Sequence, residues 1–234
     1  MSNFVDFVAH IFFPNKCLAC RKAIEYDELF CDECCEIIPV NNAKYCPICG
    51  KNRQECCCKA NNLTDINGLI SPFFYETGIK NAIIDLKFNN NRFNARKLSI
   101  ILQNSLFQSG LINDIDLIIP VPMFKKDVKT RGYNQSVLLA KWLSYQTKIP
   151  YNSDILIKIK QTLKQHNLSA KGRKINLIDA FSINNFQLIK SKNLLLLDDV
   201  FTTGTTMNLC AKMLLNAGSN KVFGMTVAKT KLEQ

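Results

Sequence analysis

The sequence predicts a parallel α/β domain preceded by a small cysteine-rich module, on three observations. Ten of the 11 cysteines lie between Cys17 and Cys58. Residues 116–119, which are apolar after Asp116, and the four leucines of residues 194–197 predict two strands, and the leucine run is typical of a strand buried on both faces, as in a parallel sheet covered by helices. The chain, with 234 residues of which 47% are hydrophobic, is long enough for one large domain and an appendage. We place the module at residues 1–60 and the α/β domain at residues 61–234.

Charge is distributed unevenly between these two parts. Residues 1–60 have 7 basic and 8 acidic side chains, whereas residues 61–234 have 23 and 11. Such an excess of positive charge favours anionic partners, either phosphate esters or nucleic acid, although a solvated lysine-rich surface would have the same composition. The composition excludes a disordered tail and a fibrous protein.

The apolar segment at the start of the chain, residues 4–13, contains Asp6 and His10 and has no basic segment ahead of it. It therefore fits neither a membrane-spanning helix nor a secretion signal. We expect a cytoplasmic protein without membrane insertion.

The first four cysteines are spaced like the ligands of structural zinc sites. Cys17 and Cys20 form one pair and Cys31 and Cys34 a second, each with a two-residue gap that lets both sulfurs of a tight turn face one metal. Four thiolates leave no open coordination position, so the metal would be structural and would substitute for a hydrophobic core. A disulfide framework is the alternative, which the expected cytoplasmic location argues against.

A second set of cysteines is less regular, because its last pair must come from the run of residues 56–58. We assign Cys56 and Cys58 as ligands, with Cys57 as the substitute. The spacing leaves open whether consecutive or alternate pairs share a metal, and hence whether one or two zinc ions bind. The predicted zinc ligands are Cys17, Cys20, Cys31, Cys34, Cys46, Cys49, Cys56 and Cys58.

A polar loop follows the second apolar strand, in the sequence N-L-L-L-L-D-D-V-F-T-T-G-T-T-M of residues 193–207. The order of strand, loop and helix places backbone N–H groups and threonine hydroxyls where a phosphate can bind. Gly204 allows the backbone to approach the phosphate, while Asp198 and Asp199 can accept hydrogen bonds from two vicinal hydroxyls. A phosphate beside a cis-diol describes a ribose 5-phosphate. A nucleotide P-loop is excluded because no Gly-Lys-Ser/Thr ending is present.

This segment resembles the phosphoribosyl pyrophosphate (PRPP) motif of type I phosphoribosyltransferases. The resemblance implies that Asp198 and Asp199 hold the ribose hydroxyls, that the threonine loop binds the 5-phosphate, and that Mg²⁺ accompanies PRPP. Residues 120–126, which begin Pro-Val-Pro after the first strand, resemble the loop that holds pyrophosphate in that family. The PRPP-binding residues so implied are Val121, Pro122, Asp198, Asp199, Thr202, Thr203, Gly204, Thr205 and Thr206.

An amphipathic helix over residues 135–145 is predicted next, with Asn134 as its cap and Leu138, Trp142 and Tyr145 as a core stripe. The basic side chains before it and one further along the chain are candidates for nucleic-acid contacts, and aromatic rings near them could stack on bases. The basic candidates are Lys125, Lys126, Lys129, Arg131 and Arg173, and the aromatic ones are Phe88, Phe93, Tyr133 and Tyr151.

Together, Pro-Val-Pro, the T-R-G-Y-N-Q of residues 130–135, the segment 161–181 and the PRPP motif resemble the ComF (ComFC) family of competence proteins. The resemblance implies a type I phosphoribosyltransferase fold behind a double zinc ribbon. It also implies a role in natural transformation, with imported single-stranded DNA, the DNA-uptake machinery and a ComFA-like helicase as partners. The irregular last cysteine pair departs from the family pattern and leaves the second zinc open.

The sequence leaves two functions in competition. The first is a protein that binds PRPP and single-stranded DNA. The alternative is an active phosphoribosyltransferase, in which Asp198 and Asp199 would stabilise the positive charge that develops while ribose 5-phosphate moves from PRPP to an unknown acceptor. A transcription regulator on the same fold ranks last, because no helix-turn-helix is apparent.

Overall fold

The computed structural model describes residues 15–41, 65–89, 91–161 and 180–231. The helices are α1 (Asp32–Ile37), α2 (Thr77–Phe88), α3 (Phe93–Gln108), α4 (Lys125–Arg131), α5 (Gln135–Thr147) and α6 (Thr205–Asn216). The strands are β1 (Leu69–Ile70), β2 (Phe73–Phe74), β3 (Leu117–Pro120), β4 (Leu156–Lys158), β5 (Phe181–Ile183), β6 (Asn193–Phe201) and β7 (Lys221–Lys229). Two 3₁₀ turns, Leu111–Asn113 and Phe186–Ile189, complete the described elements.

The main sheet is parallel and has the strand order β1-β7-β6-β3, with β2 also paired to β7. Strand β6 lies inside it, and its four leucines, residues 194–197, are completely buried. The fold class predicted from the sequence, a parallel α/β sheet behind a cysteine-rich segment, is confirmed. Strands β4 and β5 form a separate antiparallel pair.

Helices cover both faces of the sheet, because successive side chains of β6 point to opposite sides. Leu195 and Leu197 belong to the core formed with α2, α3 and α5. Leu194 and Leu196 belong to a second core formed with α6, β4 and β5. The sheet therefore carries two hydrophobic layers, one formed with α2, α3 and α5 and the other with α6, β4 and β5.

The first cysteine pair packs directly on the α/β domain. Leu18 is buried in the same core as Ile79 of α2, and a Cβ on Gly78 would overlap the side chain of Ala19. Asn41 also donates a backbone hydrogen bond to the carbonyl of Pro72 (2.7 Å). The predicted boundary near residue 60 lies outside the described residues and stays a prediction.

Helix α5 begins where it was predicted. The side-chain oxygen of its cap, Asn134, accepts a hydrogen bond from the backbone N–H of Ser136 (2.9 Å). The predicted core stripe is only partly right: Leu138 and Trp142 pack against the core, but Tyr145 is 68% exposed because it lies at the rim, edge-on to Trp142. Within the described ranges, no helix combines the length and hydropathy needed to cross a bilayer.

Candidate functional site

The predicted sugar-phosphate residues lie at the carboxyl edge of the sheet. Strand β6 continues to Phe201, so Asp198 and Asp199 are part of the strand instead of following it. As consecutive strand residues they point in different directions, Asp199 toward α2 and Asp198 toward the first turn of α5. The carboxylates of these two adjacent residues therefore lie in different environments.

Asp199 is held in a largely buried ion pair with Lys87 of α2. Its Oδ1 lies 2.9 Å from the Lys87 Nζ, and the side chains of Lys87 and Asp199 are 21% and 5% exposed. Burial alone would lower the pKa of Lys87, but the carboxylates of Asp199 and Asp198 outweigh it and raise that pKa. The second oxygen, Oδ2, is buried and accepts no hydrogen bond from any described residue. This orphaned acceptor fits a ligand hydroxyl, since buried polar atoms are normally paired.

Asp198 is half-buried, and its Oδ1 accepts hydrogen bonds from the Ser136 hydroxyl (2.8 Å) and from the backbone N–H of Asp199 (2.9 Å). Loss of hydration, followed by the charge of Asp199, raises the pKa of Asp198 to about 7, against the effect of those two hydrogen bonds. The carboxyl group therefore changes charge near neutral pH, while the Ser136 hydroxyl fixes its position.

The threonine loop joins β6 to α6 and is open to solvent. Gly204 is the N-cap of α6 with φ of 74°, a left-handed conformation in which glycine avoids the strain of a Cβ. Thr202 and Thr203 are exposed, and the Thr203 and Thr205 hydroxyl oxygens lie 2.9 Å apart. Thr206 is half-buried in the first turn of α6. The loop offers hydroxyls and the backbone N–H groups of a helix N-terminus, the groups that bind phosphate.

The predicted pyrophosphate loop lies beside the two aspartates. Strand β3 ends at Pro120, which is paired with Leu197. The next backbone N–H, that of Val121, still donates to the Leu197 carbonyl (2.8 Å), and the Val121 carbonyl accepts from the Asn134 side chain (3.0 Å). Pro122 is half-buried. The loop ends earlier than predicted, because α4 begins at Lys125.

The basic candidates divide into two kinds. Lys125, Lys126 and Lys129 are exposed along α4. Arg131 is half-buried, donates to the Gln135 side chain (2.6 Å) and lies with its guanidinium 5.0 Å from the centre of the Phe88 ring. Arg173 lies outside the described residues.

The first four cysteines form a cluster that could hold a metal. The sulfurs of Cys17, Cys20, Cys31 and Cys34 all lie within 4.8 Å of one another, and those of Cys20 and Cys31 are 3.6 Å apart. A tetrahedral zinc site with Zn–S bonds of about 2.3 Å has sulfurs about 3.8 Å apart, so the geometry fits. The four other predicted ligands, Cys46, Cys49, Cys56 and Cys58, lie outside the described residues.

The local backbone already favours a thiolate at one position of this cluster. Burial disfavours the charged form of Cys17, but backbone N–H groups of Cys20, Cys31 and Ala19 together outweigh it and lower the pKa of Cys17 to about 6. Burial raises the pKa of Cys34. The pKa of Cys31 is also raised, so a bound cation would favour the thiolate forms of Cys31 and Cys34.

Sequence reasoning did not assign Lys87 or Ser136 to the site. Lys87 follows the buried residues Ile83 and Leu86 on α2, and Ser136 occupies the first turn of α5. Lys87 pairs with Asp199, which lies far along the chain, and Ser136 donates to Asp198, which lies 62 residues later in the sequence. A lysine next to the buried face of an amphipathic helix was the only local signal.

Sequence comparison identifies the family. The chain is 31% identical over 225 residues to Competence protein F of Haemophilus influenzae, which covers 90% of this chain and 95% of that protein. The chain belongs to the ComF family of competence proteins. It is also 29% identical to the DNA utilization protein YhgH of Escherichia coli (88% and 86% covered) and 25% identical to Competence protein ComFC of Bacillus subtilis (82% and 80%). No family model matches the chain.

Among solved structures, the ComF chain is similar to glutamine PRPP amidotransferase of Bacillus subtilis, with a TM-score of 0.42 and 19% identity. That match covers 61% of this chain and 30% of the enzyme, so this chain spans less than a third of it. Adenine phosphoribosyltransferase of Saccharomyces cerevisiae matches with a TM-score of 0.39 and 12% identity, over 62% and 82% of the two chains.

The buried ion pair generates a first prediction. Replacing Lys87 by Met leaves the Asp199 carboxylate buried without its counter-charge, and we expect the free energy of unfolding to fall by about 3 kcal/mol. The double variant Lys87→Met/Asp199→Asn removes both charges and should recover most of the loss. Urea unfolding followed by circular dichroism measures both. Lys80→Met, on the exposed side of the same helix, is the control, and equal stability of the two lysine variants would contradict the prediction.

The raised pKa of Asp198 generates a second prediction, which concerns the pH dependence of stability. The carboxyl group ionises near pH 7 in the folded protein and near pH 4 in the unfolded chain, so its contribution to stability falls as pH rises between these values. Asp198→Asn should therefore stabilise the protein at about pH 8 by at least about 1.4 kcal/mol, the equivalent of one pKa unit. The gain should disappear toward about pH 4. Asp154→Asn, at an exposed position, should show no such trend, and a pH-independent effect of Asp198→Asn refutes the assignment.

Proposed function

We propose that this ComF-family protein binds PRPP at the carboxyl edge of its sheet and single-stranded DNA on its basic surface during natural transformation. One observation carries the sugar-phosphate part. The orphaned buried oxygen of Asp199 and the open hydroxyl loop at Thr203 and Thr205 belong to the end of the same strand, β6, and to the turn that follows it.

The chemistry of these groups matches the two ends of a ribose 5-phosphate. The threonine hydroxyls and the N-terminus of α6 suit the phosphate, whereas Asp199 Oδ2 and the Asp198 carboxylate suit the ribose hydroxyls as acceptors. Val121 and Pro122 form the neighbouring wall, next to Leu197, on which a pyrophosphate would lie. Mg²⁺, when bound with PRPP, supplies positive charge that offsets the pyrophosphate.

The proposed binding of single-stranded DNA is supported by the charge of the chain and by the names of the related proteins. The relatives are named as competence and DNA utilization proteins, and the chain has a formal net charge of +11. The exposed ammonium groups of Lys125, Lys126 and Lys129 follow the sugar-phosphate site on α4. Lys and Arg side chains of this kind neutralise backbone phosphates and release counterions. A ComFA-like helicase and the DNA-uptake machinery are the proposed partners.

We assign the cluster of Cys17, Cys20, Cys31 and Cys34 to a structural zinc ion. Four sulfurs leave no coordination position for a substrate, and the surrounding residues 15–41 contain few large buried side chains. The ion would stabilise the segment that packs on α2.

A transferase reaction is the second candidate, and the titration of Asp198 near neutral pH favours it. In that reaction the bond between ribose C1 and pyrophosphate breaks, a bond from C1 to an acceptor nitrogen forms, and the acceptor loses a proton. A carboxylate with a pKa of about 7 is suited to accept that proton. Release of pyrophosphate from PRPP on addition of a nucleobase distinguishes turnover from binding.

Calorimetric titration tests the sugar-phosphate site. We expect heat on addition of PRPP with Mg²⁺ and, more weakly, of ribose 5-phosphate. Thr203→Val/Thr205→Val should weaken both by at least about tenfold, because hydrogen bonds to a charged group are each worth about 1.5–3 kcal/mol. Asp154→Asn should change neither. Absence of heat from the unmutated protein refutes the proposal, and equal binding of pyrophosphate alone would reduce the site to an anion site.

Metal analysis tests the zinc assignment. Cys34→Ser should reduce the zinc content by one ion per chain and lower the melting temperature, because the segment loses the ion that orders it. Cys35→Ser is the matched control, since Cys35 is the neighbouring exposed cysteine outside the cluster. Elemental analysis and a thermal melt measure the two effects. The same zinc content in both variants would overturn the assignment.

A further inference from the structure

Four cations lie over aromatic rings along α2, α3 and α5. Measured to the ring centres, Arg131 lies 5.0 Å from Phe88, Arg92 lies 4.8 Å from Tyr133, Arg96 lies 5.7 Å from Trp142 and Lys148 lies 4.7 Å from Tyr145. We call the accessible part of this array the cation–aromatic face. It consists of Phe88, Arg92, Arg96, Arg131, Tyr145 and Lys148.

The rings of this face differ in accessibility. Phe88 and Tyr145 are each 68% exposed, whereas Tyr133 is buried and Trp142 is half-buried. The inner rings therefore anchor the stems of Arg92 and Arg96, whose side chains remain exposed. The outer rings leave one side open to a ligand. The result is a surface on which held cations alternate with exposed aromatic rings.

The helices that build this face have an unusual charge pattern. Neither α3 nor α5 contains an Asp or a Glu, and residues 86–113 and 128–153 have eight basic and no acidic side chains. Arg92 is the N-cap of α3 and Arg96 follows one turn later, at the helix end where positive charge is unfavourable by about 0.3–1 kcal/mol. The helix dipole does not favour these arginines, whereas an anionic ligand would.

We propose that the cation–aromatic face is the binding track for single-stranded DNA. Its cations contact successive phosphates, and Phe88 and Tyr145 stack on unpaired bases, which alone expose their flat faces. An acidic protein would match the charge but not the open rings between the cations. The inference rests on the DNA part of the proposed function and moves the main contact from α4 to α3 and α5.

The track also meets the sugar-phosphate site. Phe88 directly follows Lys87, which pairs with Asp199, and Arg131 joins Phe88 to Gln135 at the start of α5. A strand on this face would therefore end beside the carboxyl edge of the sheet, near α4. Lys125, Lys126 and Lys129 then extend the positive surface at that end.

Salt dependence of binding to an oligothymidylate tests the cationic part. Each phosphate contact on single-stranded nucleic acid contributes about 0.7 to the slope of log affinity against log salt. Arg92→Ala/Arg96→Ala should therefore reduce the slope by about 1.4 and weaken binding about 20-fold near 0.1 M salt. Lys190→Ala/Lys221→Ala removes the same charge at the opposite, amino edge of the sheet and should leave the slope unchanged. Circular dichroism and a thermal melt confirm that both variants are folded.

Stacking is tested separately. Tyr145→Ala should weaken binding by about 5-fold to 160-fold without changing the salt slope, because base stacking on an aromatic ring is worth about 1–3 kcal/mol. Tyr145→Phe should restore most of the affinity. Photo-crosslinking of an iodouracil-substituted oligonucleotide, followed by mass spectrometry, should label Tyr145 or Phe88.

The possible outcomes distinguish failure of DNA binding itself from failure of the proposed location of the binding surface. If the unmutated protein does not bind the oligonucleotide, the DNA part of the proposed function fails. If it binds and the Arg92→Ala/Arg96→Ala and Tyr145→Ala variants bind equally well, only the track is wrong. Loss of binding in the arginine variant with labelling confined to α4 would also overturn the track. If binding of a ComFA-like protein requires this face and binding of DNA does not, the face is a site for a protein partner instead.

Discussion

Helix α2 carries the ion pair on which the arrangement of the site depends. Lys87 holds the carboxylate of Asp199 at the carboxyl edge of the sheet, where it would otherwise be a buried charge without a partner. Two residues earlier, Asp85 is paired with Arg21, the residue that follows the first cysteine pair. One helix therefore connects the cysteine cluster to the sugar-phosphate site through two ion pairs, each with a side chain that is almost fully buried.

The contact between α2 and the cysteine segment is close as well as charged. Gly78 leaves no room for a side chain against Ala19, and Leu18 enters the core that contains Ile79. Any change in the cysteine segment that shifts Arg21 or Ala19 must be accommodated by α2, because packed interiors transmit displacement. The cysteine segment is thus connected to Lys87 through the packing of α2.

Elements with a local signature were predictable from the sequence. The leucine run of β6, the Asn134 cap of α5 and the first four cysteines each lie within a short segment, where the pattern of neighbouring residues indicates the local structure. Lys87 and Ser136 were not predictable, because their partners become neighbours only when the sheet brings β6 beside α2 and α5. Tyr145 shows the same limit: helical periodicity identifies the side of α5 that faces the core, but not where the covering elements end.

Four features that folding alone does not favour lie at the end of β6, at the end of α2 and at the start of α3. Asp198 resists ionisation, Asp199 has an orphaned oxygen, α3 begins with arginines, and Phe88 is exposed. Each costs stability for a different physical reason, namely lost hydration, an unmade hydrogen bond, an unfavourable helix dipole and apolar surface in water. A sequence under selection for stability alone would lose such costs one by one. Lys87 pairs with Asp199 and directly precedes Phe88, so these features adjoin one another and would all be accounted for by the ligand surface proposed above.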